Sequence, residues 1–166
     1  MVTDLLGPSL EDLHNFCGKQ FSLKTSLMIF YQMLERIEYL QEMNYMHRDI
    51  KPDNILMGLG QNSNTVYMID FGLIRSVIDE ATGEHISFTE GKNLVGTCRY
   101  TSVNSHLGYE LSRRDDLIAL GYVIIYLKKG RLPWQNIPLN KNSARYSTVG
   151  RIKLKYSHEQ LCESLP

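Results

Sequence analysis

The chain contains the stretch His47-Arg48-Asp49-Ile50-Lys51-Pro52-Asp53-Asn54, and these residue types in this order decide how its fold is interpreted. The triplet Asp70-Phe71-Gly72 follows further along. Two short apolar runs, 54–57 and 66–69, lie between these stretches and flank a polar segment with two glycines. That pattern predicts a small β-hairpin with a polar turn.

A long helix is predicted before this stretch. Ser22 can cap its first turn, and the helix is expected to continue to about Asn44. Apolar residues recur at three- and four-residue steps, and they are Leu27, Phe30, Tyr31, Leu34 and Ile37. This spacing places them on one stripe, which we expect to face the core.

Together these features resemble the protein kinase family. Residues 47–54 match its catalytic loop and 70–72 its metal-binding triplet, with the hairpin and the long helix in the family's order. The resemblance implies an α+β, mainly α-helical fold, that of the kinase large lobe with a small β-hairpin. Residues 1–166 would then be a partial kinase domain, with a hinge at 1–8, the catalytic loop at 47–54 and an activation segment at 70–104.

Phosphoryl transfer explains why the chemistry needs these residue types, because the protein mainly aligns two oxygens and neutralises charge. Asp49 would accept the hydroxyl proton of a protein substrate, and Lys51 would place a positive charge on the γ-phosphate of ATP. Asn54 and Asp70 would supply hard oxygen ligands for Mg²⁺. The alternative is that the two acids are solvated loop residues and that Lys51 is a surface charge.

Three further residues receive structural roles from the resemblance. His47 is expected to pack and to bond the backbone rather than to act as a base, and Arg48 to be a positioning charge. Asp116 is expected to hydrogen-bond back to the catalytic loop.

The end of the activation segment narrows the resemblance. Most kinases carry Ala-Pro-Glu there, whereas this chain reads Gly96-Thr97-Cys98-Arg99-Tyr100-Thr101-Ser102-Val103-Asn104. This is similar to the casein kinase 1 family of serine/threonine kinases, whose segment ends in a triplet of the Ser-Ile-Asn type. Residues 5–13 and the tetrapeptide Leu132-Pro133-Trp134-Gln135 also resemble that family.

The same resemblance implies how ATP would be bound. The backbone from Asp4 to Leu6 would bind adenine, Leu56 and Ile69 would sandwich the ring, and Ser9 and Asp12 would face the ribose. Leu56 and Ile69 would pack within strands in either case. Ser9-Leu10-Glu11-Asp12 also has the form of a helix capping box, and both roles could hold for Ser9.

Substrate preference follows from two arginines. The resemblance pairs Arg99 with a basic residue after the Pro-Trp-Gln segment, here Arg145, and two arginines can hold a phosphate through forked hydrogen bonds. Protein substrates with acidic or phosphorylated residues before the target hydroxyl are therefore expected. Without the resemblance, both arginines would be surface charges. Thr97 is expected to bond within the catalytic loop, and Cys98 to be a packing thiol.

The second half of the chain gives simpler signals. Asp115 and Asp116 precede the apolar run 117–127, which predicts a helix buried on all sides. Past Gly130 the chain turns polar and basic through residues 151–155, which predicts an exposed loop and a further helix. The three cysteines are widely spaced, which is typical of reduced thiols.

Composition limits the classes of partner. The 166 residues include 18 basic and 18 acidic side chains, so that nothing favours non-specific binding to nucleic acid or anionic membranes. No apolar run reaches the roughly 20 residues of a membrane span, and the N-terminus lacks a leader pattern. A monomer in the cytoplasm or nucleus is expected.

A complete kinase also needs a glycine-rich loop, a strand lysine and a helix glutamate, and this sequence contains none of these motifs. We therefore expect a fragment without the small lobe that binds ATP weakly and transfers phosphate poorly. A pseudokinase-like binding module is the main alternative. A small-molecule phosphotransferase is disfavoured by residues 96–104.

Overall fold

The computed structural model describes residues 4–135 and 143–165, with side chains for 4–135 and 148–165. Within these ranges helices predominate, and they are α1 (Leu10–Phe16), α2 (Leu23–Glu42), α3 (Val103–Leu107), α4 (Arg113–Lys129), α5 (Ser143–Lys153) and α6 (His158–Cys162). The strands are short, and they are β1 (Tyr45–Met46), β2 (Ile55–Met57), β3 (Val66–Met68) and β4 (Arg75–Ser76). Two two-stranded sheets among helices agree with the predicted α+β, mainly helical class.

Both predicted helix starts are present. Ser9 and Asp12 form a reciprocal capping box at the start of α1, and the Ser22 hydroxyl accepts the Thr25 amide at the start of α2. Such caps satisfy backbone N–H groups that have no partner within the helix. The helix that the Ser9 capping box begins ends at Phe16.

The core lies where α2 packs against α4, with the β2–β3 hairpin and α1 at one end. Its fully buried side chains come from all of these elements, and they include Leu10, Met33, Ile37, Ile55, Leu120 and Leu127. A helix pair of this length supplies a rigid frame, because buried side chains interdigitate at crystal-like density.

The predicted apolar stripe of α2 is wrong at two positions. Leu27 and Tyr31 are 52% and 65% exposed, whereas the buried residues of this helix are Ser26, Ile29, Met33 and Ile37. Apolar residues lie on two adjacent faces of α2, and periodicity cannot tell which face a partner covers. The face that packs against the rest of the protein includes the small polar residue Ser26, which the apolar pattern did not include.

The prediction that α4 is buried on all sides is also wrong. Leu117 and Ile118 are 43% and 36% exposed, and the buried positions lie on one face. Those positions are Asp115, Asp116, Ala119, Leu120, Val123, Tyr126 and Leu127. The helix begins with two buried carboxylates, and the Asp115 side chain accepts the Ser112 amide at 2.7 Å.

The predicted hairpin is present, and the chain before α1 extends it. In β2 and β3, Ile55 pairs with Met68 and Met57 with Val66 in antiparallel register. Gly7 donates its N–H to the Met57 carbonyl at 2.8 Å, and the Met57 N–H returns to Pro8 at 3.1 Å. Gly7 and Pro8, the last two residues of the predicted hinge, therefore lie along the edge of the hairpin strand, whereas residues 1–3 of that hinge lie outside the described residues.

A second sheet was not predicted. Strands β1 and β4 pair antiparallel, with Tyr45 opposite Ser76 and Met46 opposite Arg75. Strands of two residues have no periodicity that a sequence can show. This pairing joins the residues just before the catalytic loop to the residues that follow Asp70-Phe71-Gly72.

The further helix predicted past Gly130 is present as α5. Lys153 at its end is 3% exposed, which the polar and basic composition of this stretch did not predict. Cys17, Cys98 and Cys162 all lie in the described part of the chain and none forms a disulfide, as predicted. Across the same residues, no helix combines the length and the apolar character needed to cross a bilayer.

Candidate active site

The Asp49 carboxylate is the centre of a dense hydrogen-bond network. Its Oδ2 atom accepts from the Lys51 ammonium at 2.7 Å and from the Asn54 amide at 3.4 Å. Its Oδ1 atom accepts both the backbone N–H and the hydroxyl of Thr97, at 2.8 and 2.7 Å. Asp49 itself is 8% exposed, so that these bonds hold a nearly buried carboxylate in one orientation.

These bonds also keep Asp49 ionised. Burial alone would raise its pKa, but hydrogen bonds from Lys51 and Thr97 and the charge of Lys51 outweigh burial and lower the pKa below its ordinary value. An ionised carboxylate is an acceptor only. The group at this position is therefore chemically suited to take a hydrogen bond from a substrate hydroxyl.

Asp116 anchors the catalytic loop through two hydrogen bonds. Its two oxygens accept the backbone amides of His47 at 2.7 Å and Arg48 at 2.8 Å, although the residue lies on α4. The bond pair stabilises Arg48 in a left-handed backbone conformation with φ of 69°. Burial raises the pKa of Asp116 and the two amide bonds lower it, with burial the stronger effect.

His47 has the contacts of a packing residue. It is fully buried, its Nε2 atom lies 3.0 Å from the Ile69 carbonyl oxygen, and its ring contacts that of Phe71. The imidazole thus joins the catalytic loop to the strand that leads into Asp70. Arg48 donates through Nε to the Leu73 carbonyl at 2.6 Å, which ties the same loop to the next segment.

The hairpin places the backbones of Asn54 and Asp70 near each other. The Ile69 amide donates to the Asn54 carbonyl at 2.9 Å, which brings Asp70 next to that residue. The Asn54 Nδ2 atom donates to the Asp49 carbonyl at 3.0 Å, and its Oδ1 atom remains as an acceptor. Asp70 is exposed, has a left-handed backbone with φ of 63°, and accepts the Gly72 amide at 3.3 Å.

This donor set fits Mg²⁺. One amide oxygen and one exposed carboxylate are hard oxygen ligands, and Mg²⁺ typically uses one or two carboxylates together with phosphate oxygens and water. No cluster of three or more His, Cys, Asp or Glu side chains with metal-binding geometry occurs among the described residues. One asparagine oxygen and one carboxylate suit a cation that takes its other ligands from a polyphosphate and water.

The residues assigned to the nucleotide lie along the same hairpin. Leu56 and Ile69 are half-buried, and Leu56 pairs with Ser9 in an isolated antiparallel bridge. The Ser9 hydroxyl donates to Asp12 at 2.6 Å, so that both residues already serve the helix cap. Leu6 is half-buried and Asp4 is exposed, beside the hairpin edge.

Of the two arginines assigned to the substrate, Arg99 is the one whose side chain the structure describes. Arg99 is exposed, and its guanidinium lies 5.6 Å from the ring centres of Tyr100 and Tyr126. The side chain of Arg145 falls outside the described residues. The structure therefore does not test their pairing.

Several contacts of the activation segment were missed by sequence reasoning. Glu110 is 8% exposed and pairs with Arg75 at 2.8 Å and Lys92 at 3.1 Å. Trp134 donates through Nε1 to the Arg99 carbonyl at 2.8 Å. The Arg75–Glu110 and Arg99–Trp134 pairs each join residues 35 positions apart, and Lys92 lies in a loop without periodicity. No local signal in the sequence predicts these contacts.

The site thus combines a buried, ionised Asp49, a lysine and an asparagine on the same loop, and an exposed Asp70 across a hairpin. A family model described as protein kinase domain matches residues 1–163. The match spans nearly all of the 166 residues, including every residue of this network. We conclude that the chain belongs to the protein kinase domain family.

Proposed function

We propose that this kinase domain is of the casein kinase 1 type and transfers the γ-phosphate of ATP to serine and threonine hydroxyls of acidic or pre-phosphorylated proteins. The observation that carries the proposal is the Asp49 carboxylate, held by Lys51 at 2.7 Å and by the Thr97 hydroxyl at 2.7 Å. The network joins the catalytic loop to the loop that begins at Thr97.

Asp49 would orient the attacking hydroxyl. Its lowered pKa keeps the carboxylate ionised at neutral pH, so that it accepts a hydrogen bond from the hydroxyl and takes the proton as transfer proceeds. Lys51, whose side chain is 22% exposed, can reach a phosphate placed beside Asp49. Alignment and charge neutralisation are the main demands of this reaction.

Asn54 and Asp70 are the residues that would hold Mg²⁺. When bound, Mg²⁺ neutralises charge on the phosphate oxygens. Because Asn54 also donates to the Asp49 carbonyl, the ligand set and the carboxylate that orients the hydroxyl share one rigid frame. Leu56 and Ile69 would lie against adenine, and the backbone from Asp4 to Leu6 would bind its edge.

The casein kinase 1 assignment is supported by the Ser102-Val103-Asn104 triplet. Ser102 caps α3 through the Ser105 amide, and the Asn104 side chain donates to Asp115 of α4 at 2.8 Å. This bond anchors the end of the activation segment to α4 without an Ala-Pro-Glu glutamate. The exposed Arg99 in the same segment supports a preference for acidic or phosphorylated substrates.

Binding of the nucleotide can be tested apart from turnover. We expect magnesium with ATP to shift the amide NMR signals of Asn54, Leu56 and Asp70, and expect Asp70→Asn to weaken that binding at least tenfold. Asp53→Asn, which changes an exposed acid one residue from Asn54, is the matched control. Equal binding by both variants would contradict the assigned ligand set.

Transfer is tested with radiolabelled ATP, casein and three acidic peptides that differ only in carrying serine, threonine or tyrosine. We expect slow incorporation into casein and into the serine and threonine peptides, and at least a hundredfold loss in Asp49→Asn while the circular dichroism spectrum is unchanged. Incorporation into the tyrosine peptide alone, or undiminished turnover in Asp49→Asn, would refute the proposal.

Substrate preference is tested by Arg99→Gln. This variant should lose at least fivefold in kcat/KM for a peptide with a phosphoserine before the target, but much less for a peptide with neutral residues there. Arg114→Gln, at a side chain that is 58% exposed on α4, serves as the control. Equal losses on both peptides would argue against recognition of acidic substrates.

A further inference from the structure

Lys153 is a buried lysine far along the chain from the catalytic loop. It ends α5, and the residue is 3% exposed. Its Nζ atom lies 5.0 Å from the ring centre of Tyr122 and 5.1 Å from that of Trp134. None of the ion pairs found among the described residues includes Lys153, so that its amino group is held by aromatic rings and backbone oxygens.

Those backbone oxygens belong to one loop. The Lys153 amino group donates to the Cys98 carbonyl at 3.0 Å and to the Thr101 carbonyl at 2.5 Å. Trp134 donates to the carbonyl of Arg99, which lies between them in sequence. Three carbonyls of residues 98–101 are thus bound by the side chains of Lys153 and Trp134. We call residues 97–101 the substrate loop.

The substrate loop is also the loop that holds Asp49. Thr97 donates two bonds to that carboxylate, and its own carbonyl accepts the amides of Tyr100 and Thr101 at 2.9 Å each. The loop is therefore a tight turn in which Thr97 binds Asp49, and the Cys98 and Thr101 carbonyls bind Lys153. A displacement at Thr101 is transmitted to Thr97 through these two amide bonds.

We propose that Lys153 is a positioning residue, whose amino group fixes the substrate loop and through it the orientation of the Asp49 carboxylate. The proposal rests on the proposed function for the meaning of that orientation. Its structural content, that Lys153 orders residues 97–101, stands on the contacts alone.

The protonation of Lys153 is compatible with this role. Burial lowers its pKa to about 7. An amine that has lost one proton retains two N–H bonds, enough for two carbonyls. The groups that face it are the Cys98 thiol of the substrate loop, Tyr122 of α4 and Trp134 after α4, and His106 of α3 packs against Gly150 of the same helix.

Hydrogen exchange in the 166-residue chain tests the ordering. In Lys153→Met, which keeps the length of the side chain but removes its donors, we expect the amides of Thr97, Tyr100 and Thr101 to exchange at least tenfold faster. The amides of α2 should be unchanged, and Lys155→Met, at an exposed residue two positions on, should behave like wild type. Loop exchange within twofold of wild type, or equal acceleration throughout the chain, would overturn the proposal.

A second readout follows Asp49 itself. Because Thr97 lowers the pKa of that carboxyl, a loosened loop should raise the Asp49 midpoint, measured by the ¹³Cγ NMR signal, by at least half a pH unit in Lys153→Met. Trp134→Phe removes the other donor to the loop without changing any charge and should shift the midpoint in the same direction. An unchanged midpoint in both variants would overturn the proposal.

These measurements separate the two proposals. Neither needs phosphate transfer, so that a wild-type chain that transfers no phosphate refutes the proposed function and leaves the ordering of the loop standing. Conversely, a wild-type chain that phosphorylates casein while Lys153→Met leaves the loop amides and the Asp49 midpoint unchanged refutes only the role of Lys153.

Discussion

Thr97 donates its backbone N–H and its hydroxyl to the same carboxylate oxygen of Asp49, at 2.8 and 2.7 Å, although 48 positions separate the two residues. The bond pair joins the catalytic loop to the substrate loop. Hydrogen bonds to a charged group are stronger than those between neutral groups, and more so in a site sheltered from water. Thr97 therefore shares with Lys51 the control of the orientation and the charge of Asp49.

Replacing Thr97 by valine should reveal this control. Thr97→Val removes the hydroxyl donor but keeps the backbone N–H and the shape, and we expect the free energy of unfolding to fall by about 2 kcal/mol in urea denaturation. Thr97→Ser retains the hydroxyl and should lose less than half as much. Equal losses in the two variants would mean that the methyl group, not the hydroxyl, carries the stabilisation.

Asp116 offers a test of the support beneath the catalytic loop. Asp116→Asn replaces one acceptor oxygen by an N–H donor that faces the amide of His47 or Arg48, in a residue that is 2% exposed. We expect a loss of about 3 kcal/mol in the free energy of unfolding. The exposed Asp53→Asn should change it by less than about 0.5 kcal/mol. If Asp116→Asn left the free energy of unfolding unchanged, the catalytic loop would hold its shape without these bonds.

Gly96 and Gly83 form a matched pair of glycines. Both have positive φ, 81° and 70°, but a Cβ at Gly96 would lie 2.4 Å from the Arg48 carbonyl oxygen, whereas one at Gly83 meets nothing within 4 Å. Gly83→Ala should cost only the conformational strain, about 1 kcal/mol. Gly96→Ala should cost about 3 kcal/mol or displace the substrate loop, as seen in thermal unfolding and in faster exchange at Thr97. Equal melting temperatures for the two variants would contradict the close approach.

The lowered pKa of Lys153 predicts that the stability of the fold depends on pH. Its pKa is about 7 in the folded chain against 10.5 for an unperturbed lysine, so that between these values the unfolded chain binds more protons. Stability attributable to this group should therefore rise with pH from about 7 to above 10 and fall away as the pH is lowered toward 7. Urea titrations at pH 7, 8 and 9 should show a steeper rise in wild type than in Lys153→Met. Lys155→Met should keep the wild-type slope. Parallel slopes in all three proteins would rule out a lowered pKa for Lys153.

The local features of the fold were predictable because their causes are local. Ser9 and Ser22 cap helices through bonds to residues three positions on, and the hairpin follows from two apolar runs around a polar turn. Residues 47–54 and 70–72 suggested the kinase family, and the match to a protein kinase domain bears this out.

Which helix faces became buried was decided by packing. The apolar pattern of α2 included Leu27 and Tyr31, and that of α4 included Leu117 and Ile118, yet all four are exposed. A pattern shows which residues could be buried, but the partner helix covers only one face of each. Only the packed structure shows that the covered faces meet between Met33 and Ile37 of α2 and Leu120 and Val123 of α4.

The sequence by itself determined the helix caps at Ser9 and Ser22, the β2–β3 hairpin and the family resemblance of residues 47–54 and 70–72, because capping and turn formation act over a few residues. Only the tertiary structure decided that Lys153, in a polar and basic stretch of the sequence, lies buried against the carbonyls of Cys98 and Thr101. The physical reason is that a buried amino group is tolerated where distant segments supply oxygens and aromatic faces, and no local pattern encodes that meeting.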